Sequence, residues 1–267
     1  MLQRNLGIVH ERIEAALLRG GRRGESVTLV AITKTVPAEV VAAAWKLGIR
    51  HFGENRVEDA EPKIAQVARL VGDSCGGEAC VGLCAAMAGS PGAVAALPRI
   101  NAPTWHMVGH IQSRKAREVA RLFDVIQSVD SIRLIEELEK RAAALHREIP
   151  CLLEINTSGE ASKYGLAGSQ GPDNSEQAAG VIVAAQALAS APHLRPEGLM
   201  TLGPLGAPPS EVRLAFGTLR RWWDFLQRNV PEASWRHLSM GMTDDYEIAV
   251  EEGATIVRIG RGIFRET

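Results

Sequence analysis

The chain has 267 residues, 46% hydrophobic and 23% charged, with a formal net charge of −1. That balance fits a soluble globular unit with a full core and excludes a disordered chain; no basic run or stripe marks a nucleic-acid binder, and four cysteines are too few for a disulfide scaffold. No apolar run approaches the roughly 18 residues of a membrane span, and Arg4, Glu11, Arg12 and Glu14 break the stretch where a secretory leader would be apolar. A cytoplasmic, reducing setting with no membrane and no nucleic-acid partner is the expectation.

Residues 2–18 carry apolar positions at Leu2, Leu6, Ile8, Val9, Ile13, Ala16 and Leu17, roughly a helical stripe. Val27–Thr33 reads as a buried strand. Pro37 suits the first turn of the next helix, and Gly48 suits its C-terminal stop. The same grammar then repeats. Strands are expected at Arg50–Glu54, Trp105–His110, Val125–Val129, Cys151–Asn156, Gly198–Leu202, Arg236–Met240 and Thr255–Ile259. Helices are expected at Val57–Leu70, Arg114–Phe123, Ile132–Glu148, Ser175–Ser190, Ser210–Asn229 and Asp244–Glu252. Strands alternating with helices imply parallel βαβ units. Eight of them at this length favour α/β architecture of one kind, a single (β/α)8 TIM barrel with an N-terminal helix and no second domain, spanning 1–267. A doubly wound open sheet is the runner-up; no Gly-x-Gly-x-x-Gly turn follows the first strand to support it. Two stretches break the rhythm. Residues 72–103, rich in Gly, Ala and Cys, read as an inserted loop, and 167–174 as a flexible connection.

Active-site residues of such barrels sit at the C-terminal ends of the strands. Strand one ends in Lys34, strand two in Glu54-Asn55-Arg56, strand three in Gly109-His110, and strand four in Ser128-Val129-Asp130. Strand five ends in Asn156-Thr157-Ser158, strand six in Met200-Thr201, strand seven in Ser239-Met240-Gly241, and strand eight, which carries Arg258, in Gly260-Arg261-Gly262. A lysine straight after a buried strand is expected to be partly buried, which lowers its pKa and frees an amine that can attack an aldehyde. The loops after strands seven and eight are where barrels often hold phosphate. In a closed barrel strand eight lies beside strand one, so a phosphate there puts an attached ring near Lys34. Arg258, in an apolar strand, needs a partner for its charge; a salt bridge is the ordinary answer and a cofactor ring nitrogen the functional one.

At these residues the sequence resembles the pyridoxal phosphate homeostasis family, which has the alanine-racemase-like barrel (fold type III). The resemblance rests on Val30-Ala-Ile-Thr-Lys34-Thr-Val-Pro, His51-Phe-Gly-Glu-Asn-Arg56, Trp105-His-Met-Val-Gly-His-Ile-Gln-Ser113, Ser128-Val-Asp-Ser131, Asn156–Lys163, Gly198-Leu-Met-Thr201, Leu238-Ser-Met-Gly-Met242 with Asp244-Asp245, and Val257-Arg-Ile-Gly260. It implies pyridoxal 5'-phosphate (PLP) held as a Schiff base on Lys34, with Asn55 lining the pocket. Ser239, Gly241 and Gly260 hold phosphate, Arg258 faces the ring nitrogen, and Met200 and Thr201 pack near the ring. It further implies a monomeric carrier that buffers PLP, with PLP-dependent client enzymes as partners, rather than an enzyme.

An amino-acid racemase is the alternative. The chain ends seven residues after Gly260, where racemases of this fold continue into a second domain that supplies a catalytic tyrosine; only Tyr164 and Tyr246 are present here. A Schiff-base aldolase without cofactor is a third reading. The insertion departs from the family pattern, and its Cys75, Cys80 and Cys84 lack zinc-knuckle spacing. His106 and His110 read as packing or rim hydrogen bonds, Trp222 and Trp223 as barrel packing, and Lys163 as either solvated or a second amine that exchanges PLP.

Overall fold

The computed structural model describes residues 1–72 and 102–265. Strands β1 (Thr28–Ile32), β2 (His51–Glu54), β3 (Thr104–Met107), β4 (Val125–Val129), β5 (Ile149–Asn156), β7 (Leu194–Met200), β8 (His237–Ser239) and β9 (Ile256–Ile259) pair in parallel, each with the next. β4 pairs with β5 and β9 with β1, so among the described residues the eight close into a barrel. The two-residue strand β6 (Leu166–Ala167) is an extra flap on the end of β5.

Outside lie α1 (Leu2–Arg19), α2 (Ala38–Lys46), α3 (Val57–Gly72), α4 (Ala116–Leu122), α5 (Ile132–Ala144), α6 (Ser175–Ala189), α7 (Pro209–Asn229), α8 (Tyr246–Glu251) and α9 (Arg261–Phe264). α1 buries Leu6, Val9, Ile13, Ala16 and Leu17 along one stripe, as the i, i+3, i+4 pattern requires. Ser131 and Asn174 cap α5 and α6 by accepting from Leu134 N and Gln177 N. Asn174 therefore closes the 167–174 connection as a helix start.

Alternate residues of each strand face opposite ways. Ala31, Phe52, Trp105, Ile126 and Val257 pack outward under the helices in the main core. Val30, Leu152, Met200 and Ile256, with Ile32, Val125 and Leu202 against them, form a second, smaller cluster that fills the barrel axis.

Several boundaries differ from expectation, β3 for one ending at Met107 rather than His110. β7 begins at Leu194 rather than Gly198; opposite Cys151 and Leu152 stand Pro196 and Gly198, so Glu197 is an extra, bulged residue. Proline weakens the strand pattern, and a bulge is where a strand admits it. α5 ends at Ala144 rather than Glu148, because His146 takes a left-handed conformation (φ 49°) that turns the chain into β5. α8 begins at Tyr246, two residues after Asp244. The expected insertion at 72–103 lies almost wholly outside the described residues. Its two junctions, Gly72 at the end of α3 and Thr104 at the start of β3, lie at the N-terminal base of the strands. No described helix is long and apolar enough to cross a membrane.

Candidate functional site

Lys34 stands two residues past Ile32 in the turn that ends β1, at the C-terminal mouth, and it is exposed. The expected partial burial is not found: the turn lifts the side chain clear of the apolar axis. What is buried is its support. Thr33 Oγ1 donates to Glu54 Oε1 at 2.6 Å, Lys63 Nζ donates to the Thr33 carbonyl at 2.5 Å, and Lys63 pairs with Glu54 at 2.7 Å. Glu54 is fully buried, and its Oε2 has no hydrogen-bond partner. Asn55, half-buried, follows Glu54 on the same rim. Gly109 lies so close that a Cβ there would sit 2.3 Å from the Asn55 carbonyl oxygen, so only glycine lets the end of β3 approach.

Arg258 projects from β9 into the axis and is buried. Nη1 donates to Ser239 Oγ at 2.6 Å and Nη2 to the Thr201 carbonyl at 2.8 Å. Burial pulls its pKa down to about 10, opposed by Glu154 and Asp245, so it remains a cation at neutral pH. Thr201 Oγ1 donates to the Ile155 carbonyl at 2.7 Å, which obliges Thr157 to donate to Thr201 across 2.9 Å. Ser239 donates onward to Gln127 Oε1 at 2.6 Å, Gln127 Nε2 lies 2.8 Å from His106 Nδ1, and His106 Nε2 lies 3.0 Å from His51 Nδ1. Burial pushes the His106 pKa down to about 3, with His51 and His237 acting the same way.

The β8 and β9 loops form the adjacent wall. Gly241 has φ 93°, and a Cβ there would meet Ala249 Cβ at 2.6 Å and Tyr246 Cα at 2.9 Å; both facts exclude a side chain. Asp245 stands at the N-terminus of α8 but, rather than capping it, accepts from Met242 N at 2.5 Å and so braces the turn. Burial raises its pKa against that hydrogen bond. Thr243 Oγ1 lies 3.4 Å from the Gly262 amide, tying the two loops together. Gly260 packs on the end of β1, where a Cβ would lie 3.2 Å from the Ile32 carbonyl oxygen. Lys163, half-buried, donates to the Gly203 carbonyl at 2.7 Å and pairs with Glu160, so it is held rather than freely solvated.

On the opposite rim, His110 Nδ1 is 2.8 Å from Asp130 Oδ2, and the His110 ring stacks on Tyr164 at 3.6 Å. Glu154, inside β5, has its pKa raised to about 7 by burial and by Asp130, with Arg258 opposing. Tyr246 is buried in the packing of α8, whereas Tyr164 is exposed. Trp222 packs in the core, its indole N–H donating to the Gly168 carbonyl. No group of three potential metal-binding side chains occurs among the described residues.

Thr201, Ser239 and Arg258 are directly bonded. Lys34 and Gly260 are joined through Ile32, since β1 and β9 are neighbours. Met200 fills the axis beneath them. Sequence reasoning missed Gln127, Glu54 and Lys63 and did not link His106 to Arg258. The signal available was a polar residue at an inward strand position: Gln127 two residues after Val125, and His51 and His106 at inward positions of β2 and β3. The Ser239 hydroxyl donates to Gln127, and Thr243 is the hydroxyl that lies between the two loops.

The alanine racemase N-terminal domain family matches residues 15–267. The chain is 34% identical over 263 residues to the pyridoxal phosphate homeostasis protein of Escherichia coli K12, covering 97% of this chain and 94% of that one. It is 32% identical over 261 residues to the protein of that name from Aquifex aeolicus, covering 98% and 96%. The structure of PipY from Synechococcus elongatus with PLP bound superposes with a TM-score of 0.70 at 30% identity, covering 95% of this chain and all of that one.

Proposed function

The chain belongs to the pyridoxal phosphate homeostasis proteins, within the alanine racemase N-terminal domain family, and on that premise we propose that it binds PLP covalently through Lys34 and serves as a carrier and buffer of the cofactor. The observation that carries this reading is one juxtaposition. A solvent-accessible lysine follows the end of β1, and the neighbouring strand β9 carries a buried guanidinium and, two residues on, a glycine packed against the end of β1.

The residues fit the group. Gly241 and Gly260 leave main chain bare where a Cβ would collide, so backbone N–H groups of these loops can approach a phosphate. Thr243 adds a hydroxyl between them. Asn55, Met200 and Thr201 would line the ring, and Ser239 would serve it through Arg258. When bound, the cofactor supplies an aldehyde that condenses reversibly with amines and a ring able to withdraw electrons. Arg258 would face the ring nitrogen as a donor with no acceptor. It would keep that nitrogen unprotonated, which weakens electron withdrawal and suits storage better than turnover.

In this reading the protein acts as a monomer in the cytoplasm, without a dedicated substrate, and passes PLP to client enzymes that depend on it. The test is the absorption spectrum of purified protein with added PLP, wild type against Lys34→Ala, before and after borohydride. A visible band that reduction abolishes and the variant lacks is expected. A wild type that takes up no PLP would sink the proposal. Lys34-dependent racemisation of alanine or serine would replace the carrier with an enzyme.

A further inference from the structure

We propose that Ser239, Gln127 and His106 are positioning residues for the cofactor ring, acting through Arg258 along a hydrogen-bond string with a single direction. The inference rests on the PLP reading above and names residues that the reading itself does not need.

The direction follows from the first member. A guanidinium only donates. Ser239 Oγ accepts from Arg258, so its own hydrogen lies on Gln127 Oε1, 2.6 Å away. The Gln127 oxygen is then an acceptor, which orients the amide and presents its NH2 to His106 Nδ1 at 2.8 Å. His106 Nδ1 therefore carries no proton. The ring, buried and neutral, holds its hydrogen on Nε2 and gives it to His51 Nδ1 at 3.0 Å. The string thus crosses from the mouth to the base of the barrel. There His51 lines a cleft of about 630 Å³ beside α1 and the first residues of β1 and β2.

The string runs beside the apolar cluster of Val30, Leu152, Met200 and Ile256. Polar groups set among them are tolerated only when every donor and acceptor is matched. A string that begins at a charged donor has no second arrangement with equal satisfaction. Its effect is on Arg258. Two acceptors, Ser239 Oγ and the Thr201 carbonyl, fix the guanidinium plane that the PLP reading sets against the ring. Ser239 can accept in that direction only while Gln127 takes its hydrogen, and Gln127 is held by His106.

Two variants of nearly unchanged shape separate direction from bulk. Gln127→Met cuts the string. Gln127→Glu keeps an acceptor for Ser239 but turns the next link around, so that His106 must donate from Nδ1. Nitrogen-15 NMR of histidine-labelled, cofactor-free protein should show His106 as the Nε2–H tautomer in wild type and as Nδ1–H in Gln127→Glu. With PLP loaded, both variants should remain trappable by borohydride at Lys34. Both should also show a shifted visible band, and Gln127→Met should release PLP on dilution about tenfold faster, the loss of roughly one buried hydrogen bond. A merely structural role would lower the melting temperature and leave the band in place. Wild-type His106 protonated on Nδ1, or folded variants with wild-type band and release, would overturn the proposal. Should Gln127→Met not fold, the tautomer and Gln127→Glu decide it. A wild type that binds no PLP removes the cofactor reading and this role with it, and the tautomer measured on cofactor-free protein tells that failure from the other.

Discussion

Lys63 on α3 holds the main-chain carbonyl of Thr33, the residue before Lys34, at 2.5 Å, so a helix outside the barrel sets where Lys34 leaves its strand. The same ammonium neutralises Glu54, which is 0% exposed. Removing one partner of a buried pair leaves an uncompensated charge. Lys63→Met is expected to lower stability by about 3–5 kcal/mol in denaturant titration. Lys63→Met combined with Glu54→Leu should recover most of that loss while PLP uptake stays impaired, because the Thr33 carbonyl is still unheld. Equal losses in single and double variants would show that the pair does not act as one unit.

Glu154 makes stability depend on pH. Its folded pKa of about 7 lies above the ordinary value of 4.5. Between those values the folded protein binds the proton that the unfolded chain has released, so stability falls as pH rises through that window, by about 3 kcal/mol in total. His106, held near 3 from an ordinary 6.5, acts oppositely: it adds stability as pH rises from about 3 to 6.5. Glu154→Gln should therefore gain on wild type steadily between pH 4.5 and 7 and keep a constant margin above. Urea midpoints at pH 4.5, 6 and 8 test this, and a margin that does not change with pH would remove Glu154 as its source.

Gly241→Ala should cost about 2 kcal/mol or more, since it adds a methyl 2.6 Å from Ala249 Cβ on a backbone with φ 93°. The added methyl presses on α8 and so shifts the turn that we propose to hold phosphate. Calorimetry should show the lower melting temperature, and PLP titration a weaker uptake. A variant as stable as wild type would mean that α8 can shift away.

Cys151 is fully buried in β5, and burial pushes its thiol pKa far up. Thiolate is the reactive form, so alkylation followed by peptide mass mapping should leave Cys151 unmodified in native protein and label it after denaturation. Native labelling at a rate near that of a free thiol would show that β5 opens readily.

The barrel was legible because its signal repeats. Eight apolar strand segments and the helices between them follow from periodicity alone, and the strand-end rule then leads to Lys34, Ser239, Arg258 and Gly260 without any coordinates. The gaps have separate causes. Pro196 disguises the first half of β7, which a bulge accommodates. His146 stops α5 in a conformation that favours glycine or asparagine, and nothing in the residue announces it. The exposure of Lys34 depends on where a turn lifts a side chain, and a turn has no period. Gln127, His51 and His106 are individually ordinary polar residues in strands; only the closure of β4 against β5 and of β9 against β1 brings them into one line with Arg258.

The two junctions of the 72–103 stretch, at Gly72 and Thr104, lie at the end of the barrel remote from Lys34. The molecule therefore keeps the face that we propose to carry chemistry apart from the face where this stretch leaves and rejoins the barrel. A change of length there would leave every loop at the strand ends as it is.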